Sequence, residues 1–392
     1  MKSIGTMSIG IKSPIIKQGY NLVDVVYDSV LKAIKENNLT IDNNDIVAVT
    51  EAILGKSQGN FATLEQISKD IKQRFNNPKT IGVVFPILSR NRFALILQAI
   101  AMSCEKVVVQ LSYPKDEVGN SLVDETMLKD INFDFFNEVF TSKDFIKKFG
   151  KYKHQFTGVD YIEYYQSIIG KNGLIILSNN PCSIIKYTST IINADIHTRA
   201  ETKKTLLKAG ANVLSLDDLM ISSVDGSGYN SQYGLLGSNV STQTKLKLFP
   251  KDCTEFVNKL KHKFKESLNK SVECMIYGDG AFKDPVGGIW ELADPVVSPG
   301  YTDGLIGTKN EVKLKFVADN LTSDLSGKNA EKMVKKIIKT KEKNLINKNE
   351  SLGTTPRRNI DLLGSLSDLT SGSGDKGTPI VLIKNYFDTY AD

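Results

Sequence analysis

Histidine and cysteine are scarce. The 392 residues include three histidines, His154, His197 and His262, and four cysteines, Cys104, Cys182, Cys253 and Cys274. No two histidines share the spacing of a helical metal site, so histidine-ligated zinc is not expected. No cysteine belongs to a CxxC pair, and the spacings are wide and irregular. This argues against a zinc module or a disulfide framework and fits a reducing compartment. A Ser/His/Asp hydrolase is not expected either, because it would have to draw on one of these few histidines and none lies in a recognisable elbow. Long apolar runs are also missing. The longest, Phe93 to Cys104, contains Gln98 and falls well short of the ~20 residues that span a bilayer. The opening Met1-Lys2-Ser3-Ile4-Gly5-Thr6 has no apolar core of signal-peptide length. These absences together predict a soluble, cytoplasmic protein with no membrane partner.

Neither sign of charge dominates: 50 Lys+Arg stand against 44 Asp+Glu, a net +6. Hydrophobic residues make up 41% and charged residues 24%, which is globular composition and not that of a disordered chain. The length predicts two or three domains. The charge surplus is local. From Lys328 to Glu350, eight lysines face three glutamates, a surplus of five, so the rest of the chain carries about one positive charge. Val334, Ile337, Ile338 and Leu345 give this stretch a narrow apolar stripe, predicting an amphipathic helix. It reads either as a solvated face or as a surface for an anionic partner. Nucleic acid is not the expected partner; RNA binding here would show as steeply salt-dependent affinity.

Periodicity places the elements. Leu22, Val25, Val26, Val30, Ala33 and Ile34 recur at helical spacing. Ile46 to Val49 is a buried strand, and a helix covers about Leu64 to Phe75, before Pro78. Strand Ile81 to Phe85, helix Arg92 to Ser103 and strand Lys106 to Leu111 have the pattern of a parallel βαβ unit. Residues 114–172 are polar and aromatic without clear periodicity, followed by a strand at Leu174 to Leu177. Helices at Thr198 to Ala209 and Cys253 to Phe264, and strands at Glu273 to Tyr277 and Ile380 to Ile383, complete the reading. A Gly/Pro-rich stretch runs from Pro285 to Gly307.

Three loops pair glycines with oxygen-bearing side chains beside buried strands: Asp225-Gly226-Ser227-Gly228, Gly278-Asp279-Gly280 and Gly372-Ser373-Gly374-Asp375-Lys376-Gly377. Glycine lets backbone N–H groups approach phosphate, and a strand-end carboxylate can hold a metal that bridges phosphates. Each loop taken alone reads equally as a plain turn. None matches a GxxxxGK[ST] P-loop, and none is a GxGxxG that opens a helix after a strand. Lys56, in the predicted loop Gly55-Lys56-Ser57-Gln58-Gly59, can reach a phosphate or simply face solvent. Ser89-Arg90-Asn91-Arg92 opens a helix, where anions are attracted, or is an ordinary helix start.

In chain order these motifs resemble the coenzyme F(420)-0:L-glutamate ligases, a γ-glutamyl ligase family. Gly10-Ile11-Lys12-Ser13-Pro14-Ile15-Ile16-Lys17-Gln18-Gly19 resembles that family's opening Gly-x-Pro segment, with two extra residues before the proline. Asp45 through Gly59 resembles its strand followed by a lysine loop, with Gly55 where the family has Ser and Lys56 keeping the lysine. Val224 to Asn230 resembles the first metal-binding Asp loop. Met275 to Gly280 resembles the strand ending in the second Asp, with Gly280 where Thr or Ser is frequent. Phe316-Val317-Ala318-Asp319 resembles the Val-Ala-Asp motif, and Gly372 to Pro379 the terminal glycine loop, with Ser373 at the place of a third ligand. The resemblance covers about 4–60, 220–320 and 360–385.

The resemblance implies an α+β fold: a mixed-sheet ligase core interrupted by an inserted α/β subdomain. The implied domains are residues 1–77, the insertion 78–190, and residues 191–392 with a lysine-rich helical insertion at 326–350. It implies a homodimer that joins L-glutamate to a small carboxylate acceptor through an acyl phosphate, using GTP or ATP with Mg²⁺ or Mn²⁺, and K⁺ as a further candidate. The implied catalytic set is Lys56, Asp225 and Asp279, the two aspartates being metal ligands. The implied nucleotide contacts are Ser13, Pro14, Ile15, Ile16, Glu51, Ala52, Lys56, Asn230, Gly280, Gly372, Ser373, Gly374 and Gly377. A folate or other metabolite amide ligase, or a non-catalytic nucleotide- and metal-binding relative, stays open beside it.

Overall fold

The computed structural model describes residues 3–128, 134–155, 157–278, 297–352, 354, 357–371 and 374–392. The chain divides into two compact units. Among the described residues, one unit gathers those up to Leu54 and those from Asp252 onward, and the other runs from Gly55 to Lys251. The sheet of the second unit reaches Asn212–Ser215, and the compact units divide at 54/55 and 251/252.

The first unit is built on a five-stranded mixed sheet, ordered Met7–Ile11, Ile380–Lys384, Ile46–Thr50, Glu273–Gly278 and Val297–Tyr301. Ile46–Thr50 pairs parallel with Glu273–Gly278, and the remaining neighbours are antiparallel. Side chains alternate along a strand, so an uninterrupted apolar strand supplies two cores. Val47 and Val49 pack with Val26, Val30, Val257, Leu260 and Phe264 from helices Leu22–Glu36 and Cys253–Leu268. Ile46 and Ala48 pack with Ile360 and Leu363 from helix Asn359–Ser371. The sheet thus lies between helices on both faces.

Strand Val297–Tyr301 falls within the Gly/Pro-rich stretch, for which no strand was expected. As the last strand of its sheet it tolerates Pro299, because an edge strand need not donate every N–H. Gly300 belongs there because a Cβ would lie 2.6 Å from Cys253 at the start of helix Cys253–Leu268. The lysine-rich stretch forms helix Gly327–Thr340, shorter than predicted. Beyond it Ser351 Oγ donates to the Leu345 carbonyl at 2.5 Å, tying the following residues into turns.

The second unit is dominated by a six-stranded sheet. Its order is Phe140–Thr141, Leu174–Leu177, Lys106–Leu111, Thr80–Val84, Thr190–Asn193 and Asn212–Ser215. All neighbours are parallel except the edge pair Phe140–Thr141 and Leu174–Leu177. The predicted βαβ unit is present, with helix Phe93–Ser103 between parallel strands Thr80–Val84 and Lys106–Leu111. The five parallel strands lie in the order third, second, first, fourth, fifth, so sheet growth reverses between Thr80–Val84 and Thr190–Asn193. That is a doubly wound arrangement with a topological switch point.

Two helices, Ser142–Phe149 and Tyr161–Ile169, lie in the 114–172 segment where periodicity gave no signal. Both are short; Phe145 and Phe149 of the first join Tyr113 and Phe140 in a ring cluster, and Tyr165 of the second packs against Phe93. A separate three-stranded ribbon, Asn239–Thr242, Lys245–Lys247 and Phe61–Thr63, completes the second unit. Among the described residues no helix is long and apolar enough to cross a membrane.

Candidate functional site

Lys56 lies in the last turn of the short helix Glu51–Ser57, which corrects the loop predicted for Gly55 to Gly59. The helix continues because Gly55 is needed for proximity, not for a turn. A Cβ there would stand 3.1 Å from the Leu248 carbonyl oxygen. The turn comes later, at Gly59, with φ of 65°. Lys56 is exposed, and no carboxylate pairs with it among the described residues.

The residues after Lys56 organise the chain around them. Gln58 exchanges two hydrogen bonds with the backbone of Lys251: its Nε2 donates to the carbonyl at 2.7 Å and its Oε1 accepts the N–H at 2.8 Å. Asn60 does the same for Tyr229, accepting its N–H at 2.9 Å and donating to its carbonyl at 3.1 Å. Gly228 makes this approach possible. Its N–H reaches the Phe61 carbonyl at 2.7 Å, and a Cβ would lie 2.5 Å from Asn60 Oδ1. The Lys56 element and the Asp225 loop, joined by residues 169 apart in sequence, are therefore docked on each other within one unit.

Helix Leu64–Arg74 holds the other side of the Asp225 loop. Thr63 and Gln66 form a capping box that fixes its start. Lys69 donates to both carboxylate oxygens of Asp225 at 2.7 Å, and Gln66 donates to the Asp225 carbonyl at 3.2 Å. Buried Asp70 accepts the Met220 N–H at 2.8 Å and is bridged by Arg74. Asp225 has φ of 48°, in the left-handed region, and its side chain is 58% exposed. Asn230 is buried with its amide fully engaged. Its Nδ2 donates to the Phe249 and Pro250 carbonyls, and its Oδ1 accepts from Gln232 and Tyr233. In this structure Asn230 closes the loop.

In the first unit, three of the segments expected to contact nucleotide meet. The Ser13 N–H donates to the Gly377 carbonyl at 3.3 Å, and the Thr50 N–H to the Pro379 carbonyl at 3.0 Å. The Ser13–Ile16 segment, the glycine loop at Gly374 and Gly377, and the strand leading to Glu51 and Ala52 are thus adjacent. Ser13 and Ile16 are partly to fully buried, whereas Pro14 and Ile15 are exposed. Glu51 is buried, and its charge adds to burial in raising the Cys253 thiol to about 12.

Asp279, Gly280, Gly372 and Ser373 lie outside the described residues. Among those described, no three His, Cys, Asp or Glu side chains are grouped to hold a metal. Asp225 supplies one carboxylate, already neutralised by Lys69. The described residues do not complete a divalent-metal centre.

One polar centre was not found from sequence. At the carboxyl ends of the parallel strands, Asp116 accepts the Leu88 N–H at 2.8 Å. Glu117 accepts the Ile196 and His197 N–H groups at 2.7 and 2.8 Å. Asp195 accepts from the Thr198 and Thr202 hydroxyls, both at 2.6 Å. Desolvation, then the nearby Asp195 charge, push the Glu117 carboxyl up to about 8. No motif marks these residues, because only the sheet order brings loops 85–89, 112–120 and 194–198 together. Of the histidines, His154 bonds Asn120 at 2.9 Å, and His262 pairs with Glu266 on an exposed helix face.

The fold and the docked loops define an α+β protein with a lysine-bearing turn seated against an aspartate loop. The family model F420-0:Gamma-glutamyl ligase matches residues 10–385, so the chain belongs to that family. The match spans the segment 78–190, which the motif resemblance had left out. No curated protein matches the chain at a significant level. Family membership makes this a ligase by class, with glutamate as the implied substrate.

Proposed function

We propose that the protein is a nucleotide- and divalent-metal-dependent ligase. In this reading it forms a γ-glutamyl amide between L-glutamate and a small carboxylate-bearing acceptor, a folate or other carboxylate-ended metabolite being a candidate. The γ-phosphoryl group of GTP or ATP passes to the acceptor carboxylate, giving an acyl phosphate and nucleoside diphosphate. The glutamate amine then attacks the acyl carbon, phosphate leaves and the amine proton is released. Such chemistry needs positioning and charge stabilisation more than a general base, which suits a chain with three histidines.

The observation that carries this reading is the family match over 10–385, together with the docking of the Lys56 element on the Asp225 loop. Lys56 would neutralise phosphate, and the Ser13–Ile16 segment with the Gly374–Gly377 loop would cradle the nucleotide. Mg²⁺ or Mn²⁺, when bound, would offset phosphate charge, with Asp225 and Asp279 as the proposed ligands and K⁺ as an additional activator. A homodimer is proposed as the working assembly.

The test is phosphate release from GTP and from ATP, with L-glutamate and a panel of carboxylate acceptors, in Mg²⁺, in Mn²⁺ and with chelator. Turnover that needs all three substrates supports the ligase, and Asp279→Asn should then abolish it. Tight nucleotide binding without turnover would favour a second reading, a non-catalytic binding relative. Two observations motivate that alternative: Lys69 occupies both oxygens of Asp225, and Gly55, Gly280 and Ser373 replace polar family residues.

A further inference from the structure

The second unit holds a lysine whose fixed position the loop motifs do not explain. Lys251 places its ammonium 4.3 Å from the centre of the Tyr229 ring. Its backbone is gripped at both N–H and carbonyl by Gln58, two residues after Lys56, and Tyr229 is gripped in the same way by Asn60. These clamps join positions 193 and 169 residues apart. A lysine kept only as a solubilising charge needs no such support.

The charge balance points the same way. Several cations of this unit meet carboxylates: Lys69 with Asp225, Arg74 with Asp70, Arg199 with Asp217 and Lys203 with Asp218, while Lys245 lies over the Phe61 ring at 5.7 Å, a looser stack than that of Lys251. Lys251 and Lys56 have no carboxylate partner among the described residues. A ring face stabilises an ammonium without neutralising it, so the cation stays available to an anion while its stem is held in place.

We propose that Lys251, stacked on Tyr229 and fixed by Gln58, forms with Lys56 a two-lysine clamp for an oxyanion, the phosphate chain of the nucleoside triphosphate. This rests on the ligase reading for the identity of the nucleotide, though not for the oxyanion chemistry. Gln58 is a positioning residue, because it acts through Lys251.

Calorimetry would measure binding of GTP, ATP and inorganic tripolyphosphate, and kinetics the KM for nucleotide and for L-glutamate, in wild type, Lys251→Gln and Lys251→Arg. Lys251→Gln should weaken nucleotide and tripolyphosphate binding about tenfold at unchanged thermal stability, while Lys251→Arg, which keeps charge and stacking, stays within about threefold. Gln58→Met should reproduce part of the loss with both lysines present. If nucleotide affinity is kept but the KM for L-glutamate rises comparably, the clamp stands with a carboxylate as its oxyanion. Unchanged affinities and unchanged KM values in Lys251→Gln overturn the clamp, even if the wild type is an active ligase. Lysine-dependent tripolyphosphate binding without any turnover would keep the clamp and remove the ligase.

Discussion

Lys69 donates to both carboxylate oxygens of Asp225 at 2.7 Å, so the loop aspartate expected to hold metal is held by a cation of its own unit. The two side chains are 48% and 58% exposed. At that exposure an ion pair adds at most about 1 kcal/mol. Lys69→Met should therefore shift the urea midpoint little, yet free Asp225 for a divalent ion. The apparent Mn²⁺ constant for turnover should fall several-fold in Lys69→Met, and Asp225→Asn should remove metal-dependent turnover. A large stability loss in Lys69→Met, or full activity in Asp225→Asn, would take Asp225 out of the site.

The docking of the Asp225 loop on the Lys56 element depends on a missing side chain. Gly228→Ala would place a Cβ 2.5 Å from Asn60 Oδ1 and 2.6 Å from the Phe61 backbone nitrogen. Backbone cannot yield as a flexible side chain can, so the loop must lift. The expected cost is about 1–3 kcal/mol by chemical denaturation, as for other overpacked sites. Turnover should fall more than for Gly226→Ala, whose Cβ meets nothing within 4 Å although φ there is 77°. Equal effects of the two substitutions would mean that docking plays no part in function.

Much of the fold was legible because it rests on local pattern. Apolar strands such as Ile46–Thr50 and Lys106–Leu111, and helices such as Leu22–Glu36, have buried positions that match their sequence periods. Helices Ser142–Phe149 and Tyr161–Ile169 were missed because each is only about two turns long and packs aromatic rings on distant residues, Phe145 on Tyr113 and Tyr165 on Phe93. At the candidate site, Lys56 and Asp225 were readable as glycine-flanked polar residues. Gln58, Asn60 and Lys251 were not, because their roles lie in hydrogen bonds between positions some 170–190 residues apart, which no spacing rule encodes.

Glu117 should make stability depend on pH. Its carboxyl is pushed up to about 8, above the ordinary 4.5, first by desolvation and then by the Asp195 charge. The folded state therefore binds a proton more tightly than the unfolded chain. Stability from this group is fully present below about pH 4.5 and is lost as pH rises toward about 8. Glu117→Gln should flatten the fall in denaturation midpoint across that window. A wild-type profile that rises through the same window, together with an unchanged slope in Glu117→Gln, would show that Glu117 titrates in the ordinary range.

In the first unit, Lys384 reaches in from the last strand. Its ammonium contacts Asp45, Asp42 and the Thr40 carbonyl, with Lys384 5% and Asp45 2% exposed. Burial pushes the Asp45 carboxyl up, against the pull of Lys384. A buried pair is worth little compared with an apolar replacement, but breaking one side strands the other charge. Lys384→Met should cost about 3–5 kcal/mol, and adding Asp45→Leu should recover much of it. The coupling read from a double-mutant cycle should then be large. A loss below about 1 kcal/mol in Lys384→Met would mean that Asp45 is carried protonated and that the Asp42 N–H, 2.8 Å from its oxygen, suffices to hold it.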